Sequence, residues 1–171
     1  MHLSITKGQL TCDEATIANV QTHFADQLQP YSEPVPFHDS SGSYYNTTII
    51  THYSNETAWQ YLGCLQEITS LTLEGYDLAS TLPATWGSAG SFVNLLDLVI
   101  WDTNLTGTLP EAWGSNGSQS FPQLLNVTVI GNPRLSGIPP AAWGSNGSFA
   151  SLQMLTMYNT VYGGDGSCFV Q

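Results

Sequence analysis

The chain has 171 residues, and its apolar fraction of 42% is sufficient for one domain with a buried core. The chain has thirteen acidic residues and only two basic ones, and its formal net charge is −11. This balance excludes the basic surface that nucleic acid or anionic lipid requires, and no apolar run of about 18 residues is present to span a membrane.

The first 64 residues are predicted to form an N-terminal cap region, distinct from the rest of the chain. Apolar spacing predicts a helix over residues 13–28, with Asp13 or Thr11 as its cap. The proline-rich stretch 30–36 ends any helix, and residues 49–53 are predicted to form a short strand. No apolar segment typical of a secretion signal comes after Met1, so we expect the chain to be a piece of a longer or processed protein.

Three cysteines are present, Cys12, Cys64 and Cys168. They allow one bridge and one leftover thiol, and the sequence does not decide which two pair. Our working assignment is a disulfide between Cys12 and Cys64.

A repeated pattern occupies residues 65–162. Ile68, Leu95, Leu124 and Leu152 each begin an apolar-x-x-apolar-x-apolar core, at spacings of 95 − 68 = 27, 124 − 95 = 29 and 152 − 124 = 28 residues. A Pro-x-x-Trp-Gly-Ser signature recurs in the same frame, with Trp86, Trp113 and Trp143 spaced by 113 − 86 = 27 and 143 − 113 = 30 residues. Such periods indicate stacked supersecondary units, none of which can bury its apolar face alone.

The order of residues within a unit resembles the plant-type leucine-rich repeat, of the secreted or receptor-ectodomain kind and closest in style to algal and protist versions. The resemblance is clearest over residues 98–110, which read LVIWDTNLTGTLP. It implies an α/β fold: a short right-handed solenoid of about four units, with a parallel β-sheet on the concave face, irregular or 3₁₀ structure on the convex side and an N-terminal helical cap. Residues 163–171 would then be a short or truncated C-terminal end.

Alternation along the four predicted strands assigns every second side chain to the outward face of the sheet. Aligning the units gives three rows, which we call the first, second and third rows. The first row contains Ser70, Asp97, Asn126 and Met154; the second contains Thr72, Val99, Thr128 and Thr156; the third contains Glu74, Trp101, Ile130 and Tyr158.

The third row is the main candidate for binding a partner. Nothing in the repeat requires Trp101, Ile130 and Tyr158 to be apolar, and an exposed apolar stripe marks a contact site more often than chance does. The alternative is that these side chains only pack against their neighbours. We include Asp97 and the second row in the candidate surface. Trp86, Trp113 and Trp143, by contrast, are predicted to form a buried structural ladder.

Six N-x-S/T sequons indicate a secreted glycoprotein with N-linked glycans. They begin at Asn46, Asn55, Asn104, Asn116, Asn126 and Asn146. Asn126 belongs both to a sequon and to the first row. A glycan there would block part of the outward face, so its glycosylation conflicts with binding on that face.

No motif for catalysis or cofactor binding is present, and the four histidines lack metal-ligand spacing. We therefore expect no enzyme, no cofactor and no metal. The leading hypothesis is an extracellular or cell-surface module that recognises a protein or peptide through the repeat surface. The alternative is a structural glycoprotein of a cell wall, sheath or filament that associates with copies of itself.

Overall fold

The computed structural model describes residues 12–27, 47–51, 56–115, 119, 121–145, 147–158 and 166–168. Within them, two α-helices precede the repeats: α1 (Glu14–His23) and α2 (Glu56–Gln60). The strands are β1 (Thr47–Ile50), β2 (Ser70–Glu74), β3 (Asp97–Trp101), β4 (Gly107–Thr108), β5 (Asn126–Ile130), β6 (Leu135–Ser136), β7 (Met154–Tyr158) and β8 (Gly166–Cys168). Short 3₁₀ helices lie at Leu62–Cys64, Ala84–Gly87, Glu111–Gly114 and Ala141–Gly144. The last three each carry a tryptophan, and we call them the Trp turns.

Helix α1 begins at the predicted cap and ends early. The Asp13 carboxylate accepts the backbone N–H of Thr16 at 2.7 Å. Hydrogen bonds from the Thr16 side chain and backbone lower the pKa of the Asp13 carboxyl, because they favour its charged form. The helix ends at His23 rather than at residue 28, since Phe24 leaves the helical conformation (φ −115°) and buries its ring in the core.

A disulfide joins Cys12 to Cys64, in agreement with the working assignment. It connects the start of α1 to the 3₁₀ helix Leu62–Cys64, across a sequence separation of 52 residues. A bridge across a loop of this size stabilises the fold by about 2–4 kcal/mol, mainly by restricting the unfolded chain. The disulfide therefore holds the N-terminal segment against the first repeat.

The main sheet has the strand order β1-β2-β3-β5-β7-β8. The four repeat strands β2, β3, β5 and β7 run parallel, and Leu71, Leu98, Val127 and Leu155 are register partners across them, as predicted. The sheet is wider than predicted. β1 starts at Thr47 rather than at residue 49 and adds a parallel strand beside β2, while β8 pairs antiparallel with β7.

One face of this sheet forms the core. Burial alternates along β3 and β5, so that every second residue points into the protein. The largest fully buried side chains include Leu71 and Leu73 of β2, together with Trp59, Trp86 and Trp113 from the layer that faces the sheet. The repeats therefore pack a parallel sheet against a layer of aromatic 3₁₀ turns.

The Trp turns stack directly on one another, which confirms the predicted ladder of buried indoles. The rings of Trp86 and Trp113 lie 5.9 Å apart at 15°, and those of Trp113 and Trp143 lie 5.6 Å apart at 10°. Each indole N–H also donates to the preceding unit: Trp113 Nε1 to the Pro83 carbonyl at 2.8 Å, and Trp143 Nε1 to the Pro110 carbonyl at 3.0 Å. Each ring is thus both packed and hydrogen-bonded, which a buried indole requires.

Glycine after each tryptophan permits this close stacking. A Cβ built on Gly87 would overlap the Ala112 carbonyl oxygen, and a Cβ on Gly114 would overlap the Ala142 carbonyl oxygen. Both neighbours are backbone atoms, which cannot rotate out of the way. Gly144 is the equivalent residue of the last Trp turn, and no described atom lies within 4 Å of a Cβ built there.

A second aromatic ladder runs beside the tryptophans. Phe92, Phe121 and Phe149 stack at 5.7 and 5.6 Å, and each has a positive φ of 47°, 48° and 51° respectively. A left-handed backbone is unfavourable for a residue with a bulky side chain. The same conformation in three successive units indicates that burial of the ring stabilises it.

A buried polar network connects the second and third units. Asn132 donates from Nδ2 to the carbonyl oxygens of Ile100 at 2.9 Å and Ile130 at 2.8 Å. Its Oδ1 accepts the backbone N–H of Thr103 at 3.1 Å and the Thr103 hydroxyl at 2.6 Å. All hydrogen-bonding groups of this side chain are therefore used, as burial demands.

A small second sheet pairs β4 with β6 in parallel, and a single bridge joins Thr81 to Thr106 beside it. Thr106 donates its backbone N–H to the Ser80 carbonyl at 2.8 Å. These pairings add backbone contacts between successive units outside the main sheet.

The glycine contacts predict that the same Gly→Ala substitution changes the free energy of unfolding differently in two Trp turns. Gly114→Ala is expected to reduce the free energy of unfolding by about 1–3 kcal/mol, because the methyl group forces two Trp turns apart. Gly144→Ala is the matched control and is expected to be neutral or slightly stabilising. Chemical denaturation of both variants measures the difference, and equal losses would contradict the close stacking of the Trp turns.

The network around Asn132 predicts a second effect on stability. Asn132→Ala leaves the backbone N–H of Thr103 and the carbonyl of Ile100 buried without this partner, so we expect a loss of about 2–4 kcal/mol. Asn94→Ala is the control, because its amide donates to the Gln66 carbonyl on the exposed surface and should change stability by less than about 0.5 kcal/mol. A thermal unfolding midpoint that falls equally in both would argue against the network.

Candidate functional site

The four repeat strands place the third row as predicted from the sequence. Glu74 pairs with Trp101, Trp101 with Ile130, and Ile130 with Tyr158, each at the last residue of its strand. Neighbouring strands lie about 4.8 Å apart, so the apolar side chains form one continuous stripe. We call Trp101, Ile130 and Tyr158 the apolar stripe.

The apolar stripe reaches the surface. Tyr158 is 43% exposed, and Glu74, Trp101 and Ile130 are half-buried. Met154 at the end of the first row is also 43% exposed. It was not among the predicted contact residues, although its place in the first row was a signal for it. The accessible apolar surface is therefore concentrated toward β7.

The first row contains a polar pair. Asn126 donates from Nδ2 to the Asp97 carboxylate at 2.5 Å, across the boundary between β3 and β5. This bond fixes the orientation of both side chains, since a hydrogen bond to a charged group is stronger than a neutral one. Asp97 is half-buried, and this bond holds its carboxylate in place in the first row.

The outward-facing side chains of β2 are less exposed than predicted. Ser70 and Thr72 are only 5% and 7% exposed, whereas Val99, Thr128 and Thr156 in the second row are half-buried. The prediction of Thr72 as a contact residue is therefore wrong. The four-strand prediction also made β2 an edge strand, whereas β1 lies beside it and pairs Ile49 with Thr72.

A second carboxylate lies directly after the apolar stripe. Asp102 follows Trp101 with a φ of 49° and donates its backbone N–H to the Ile130 carbonyl at 3.0 Å. Gly75 and Gly131 occupy the equivalent positions of the neighbouring units and also have positive φ. The glycines were the sequence signal for this left-handed turn, and Asp is among the few other residues that tolerate it.

Asp102 also borders the next turn. Its Oδ1 occupies the position that a Cβ on Gly131 would take. Gly131 in turn donates its backbone N–H to the Tyr158 carbonyl at 3.1 Å. The backbone bonds of the sheet thus continue one residue beyond the strands, and they hold the ends of the apolar stripe in register.

Two of the six predicted glycosylation sites lie among the described residues. Asn104 is half-buried and donates from Nδ2 to the Tyr76 carbonyl at 2.8 Å. Asn126 lies in the first row, bonded to Asp97. Asn46, Asn55, Asn116 and Asn146 lie outside the described residues.

Within the described part of the chain, no group of three or more His, Cys, Asp or Glu residues is placed to hold a metal ion. Among the same residues, no helix has the length and apolar character to cross a membrane. The candidate site on the outward face consists of the apolar stripe, Glu74 in the same row, Asp102 directly after Trp101, and Asp97 in the first row.

Comparison with known proteins gives one structural similarity. No protein-family model matches this chain, and no curated protein matches it. Among solved structures, the chain is similar to the plant peptide hormone receptor RGFR1 in complex with RGF2, at 23% sequence identity and a TM-score of 0.45. The similarity covers 58% of this chain and 14% of that receptor chain, so this chain spans a small part of the receptor's length.

Proposed function

We propose that this chain is a short leucine-rich-repeat solenoid that works outside the cell as a non-catalytic binding module. Its ligand is a basic segment of a protein or peptide, bound on the outward face of the sheet. The observation that carries this proposal is the apolar stripe of Trp101, Ile130 and Tyr158, aligned on adjacent strands.

The repeat architecture supports the solenoid part of the proposal. Each of the first three units contributes one strand to the parallel sheet and, on the opposite side of the core, one Trp turn, and the fourth contributes β7. Residues 1–64 then serve as the N-terminal cap, residues 65–162 as about four repeats, and residues 163–171 as the C-terminal end. Stacking of this kind leaves the outward face free of any role in the core.

Secretion is supported by two independent features. The disulfide between Cys12 and Cys64 is of a kind that persists in oxidising compartments. The six sequons fit a chain that passes through a glycosylating pathway. Together they favour an extracellular or cell-surface location.

Charge supports a basic ligand. The chain has a net charge of −11, and the carboxylates of Glu74 and Asp102 border the apolar stripe, while Asp97 lies in the first row of the same face. A ligand with Lys or Arg beside apolar residues would match both features, and a cation over the face of Trp101 adds a further attraction of about 0.5–2 kcal/mol. The same charges would speed the encounter with a basic partner and repel an acidic one.

The size of the surface limits the ligand. Four strands at about 4.8 Å spacing extend over about 15 Å, which an extended segment of about four or five residues would cover. The surface is thus suited to a short segment of a partner rather than to a large flat interface.

Two pools of immobilised hexapeptides test this function. Both pools carry the same apolar residues. At the other positions, the basic pool has Lys and Arg and the acidic pool has Asp and Glu. The full chain should be retained by the basic pool, and Trp101→Ala should weaken retention at least about tenfold, as the loss of a central aromatic contact does. Retention should also fall as the salt concentration rises, because exposed charges are screened.

Ile138→Ser is the matched control for this experiment. Ile138 is 76% exposed and lies after β6, outside the three rows, so its removal should leave retention unchanged. Equal retention by the basic and acidic pools, or full retention of Trp101→Ala, would reject the proposed function.

Self-association as a structural subunit is a second candidate, favoured by one observation. Gly144 of the last Trp turn is equivalent to the glycines that permit close stacking of the other two. No described atom lies within 4 Å of a Cβ built on it. A second copy of the chain could use this space. We then expect light scattering to show a mass that rises with concentration, and Gly144→Trp to abolish that rise; a constant monomer mass would reject this candidate.

A further inference from the structure

Tyr76 and Asn104 form a contact that the repeat pattern does not explain. The Asn104 side chain donates from Nδ2 to the Tyr76 carbonyl at 2.8 Å, which joins residues 28 positions apart in neighbouring units. Asn104 also begins the sequon Asn104-Leu105-Thr106. The acceptor nitrogen for a glycan is therefore fixed beside one particular residue.

The side chain of Tyr76 is exposed, whereas the residues at the same position of the next two units are buried. Its equivalents in the next two units, Thr103 and Asn132, are 0% exposed and form the polar network between units. Tyr76 is instead 63% exposed. An aromatic ring at this position contributes little to the core, so the repeat gives no reason for it.

We propose that Asn104 carries an N-linked glycan whose first N-acetylglucosamine packs on the ring of Tyr76. The C–H groups on one face of the sugar carry partial positive charge, and the face of an aromatic ring is negative. Contact between them also removes apolar surface of both groups from water. The exposed ring then has a partner, and that partner is covalently attached beside it.

The attachment uses ordinary transfer chemistry. The donor is an oligosaccharide joined through its N-acetylglucosamine C1 to a lipid diphosphate, and the catalyst is the transferase of the secreting cell. A bond forms between Asn104 Nδ2 and C1 while the bond from C1 to the diphosphate oxygen breaks; the lipid diphosphate leaves with the electron pair, and Nδ2 loses one proton to a base. The second N–H proton remains, so the glycosylated Asn104 can still donate to the Tyr76 carbonyl.

Asn126 provides a contrast within the described residues. Its Nδ2 donates to the Asp97 carboxylate, and its neighbours in the first row are Asp97 and Met154. A glycan there would lie against a negative charge and over the second and third rows, with no aromatic residue as its register partner. The proposal therefore assigns the glycan to Asn104. It depends on the secretory part of the proposed function but not on peptide binding.

A double-mutant cycle tests the proposal on the full chain secreted from a eukaryotic host. Glycopeptide mass spectrometry should find Asn104 occupied. Tyr76→Ser should then lower the thermal unfolding midpoint by about 2–4 °C, and Tyr76→Phe, which keeps the ring, should not. Thr106→Val removes the sequon but retains Asn104 and its bond to Tyr76; in that background Tyr76→Ser should have no effect.

The outcomes separate the two parts of the proposal. An unoccupied Asn104 in the secreted chain overturns the modification. An occupied Asn104 with the same shift for Tyr76→Ser in both backgrounds overturns the packing of sugar on ring. Neither measurement uses the peptide pools, so failure here is distinguishable from failure of the binding function.

Discussion

Close contact between successive Trp turns is the constraint on which the structure depends. Gly87 and Gly114, which follow Trp86 and Trp113, let the backbone of the next unit approach at a distance that a methyl group would prevent. The indole N–H then bonds to a carbonyl of the unit before it, so two contacts fix each unit on its neighbour. Because the strands belong to the same units, this spacing also sets the register of the parallel sheet. The rows on the outward face follow from packing on the opposite side of the core.

This arrangement separates the core from the outward face that we propose as the binding surface. The core contains the two aromatic ladders and the buried network of Asn132, whose polar groups are all paired within the protein. The side chains of the outward face are not needed to close that core, and they differ from strand to strand: a carboxylate at Glu74, an indole at Trp101, an aliphatic chain at Ile130 and a phenol at Tyr158. Such variation within a regular backbone is what a binding surface requires, since the backbone positions the side chains without dictating their chemistry.

The period of the repeat was sufficient to predict the alignment of the strands, because units of nearly equal length must place equivalent residues side by side. The three rows and the buried tryptophans followed from it. The burial of Thr72 did not, since alternation shows which face of the sheet a residue occupies but not how far that face is covered. The early end of α1 at His23 depends on the burial of Phe24, a tertiary effect. The left-handed backbone of Phe92, Phe121 and Phe149 had no signal in the sequence, because a bulky residue is atypical in that conformation.

Two sequons, at Asn104 and Asn126, lie among the described residues. A glycan would affect binding on the outward face differently at each of them. A glycan on Asn126 would cover part of the first row, so the binding that we propose on the outward face requires Asn126 to be unmodified. A glycan on Asn104 would begin beside Tyr76, after the end of the strands and outside the three rows. It would also make the neighbouring flank bulky and hydrophilic, which disfavours contact there. Of these two sequons, a glycan on Asn104 and none on Asn126 is therefore the pattern that fits the proposed binding at Trp101, Ile130 and Tyr158.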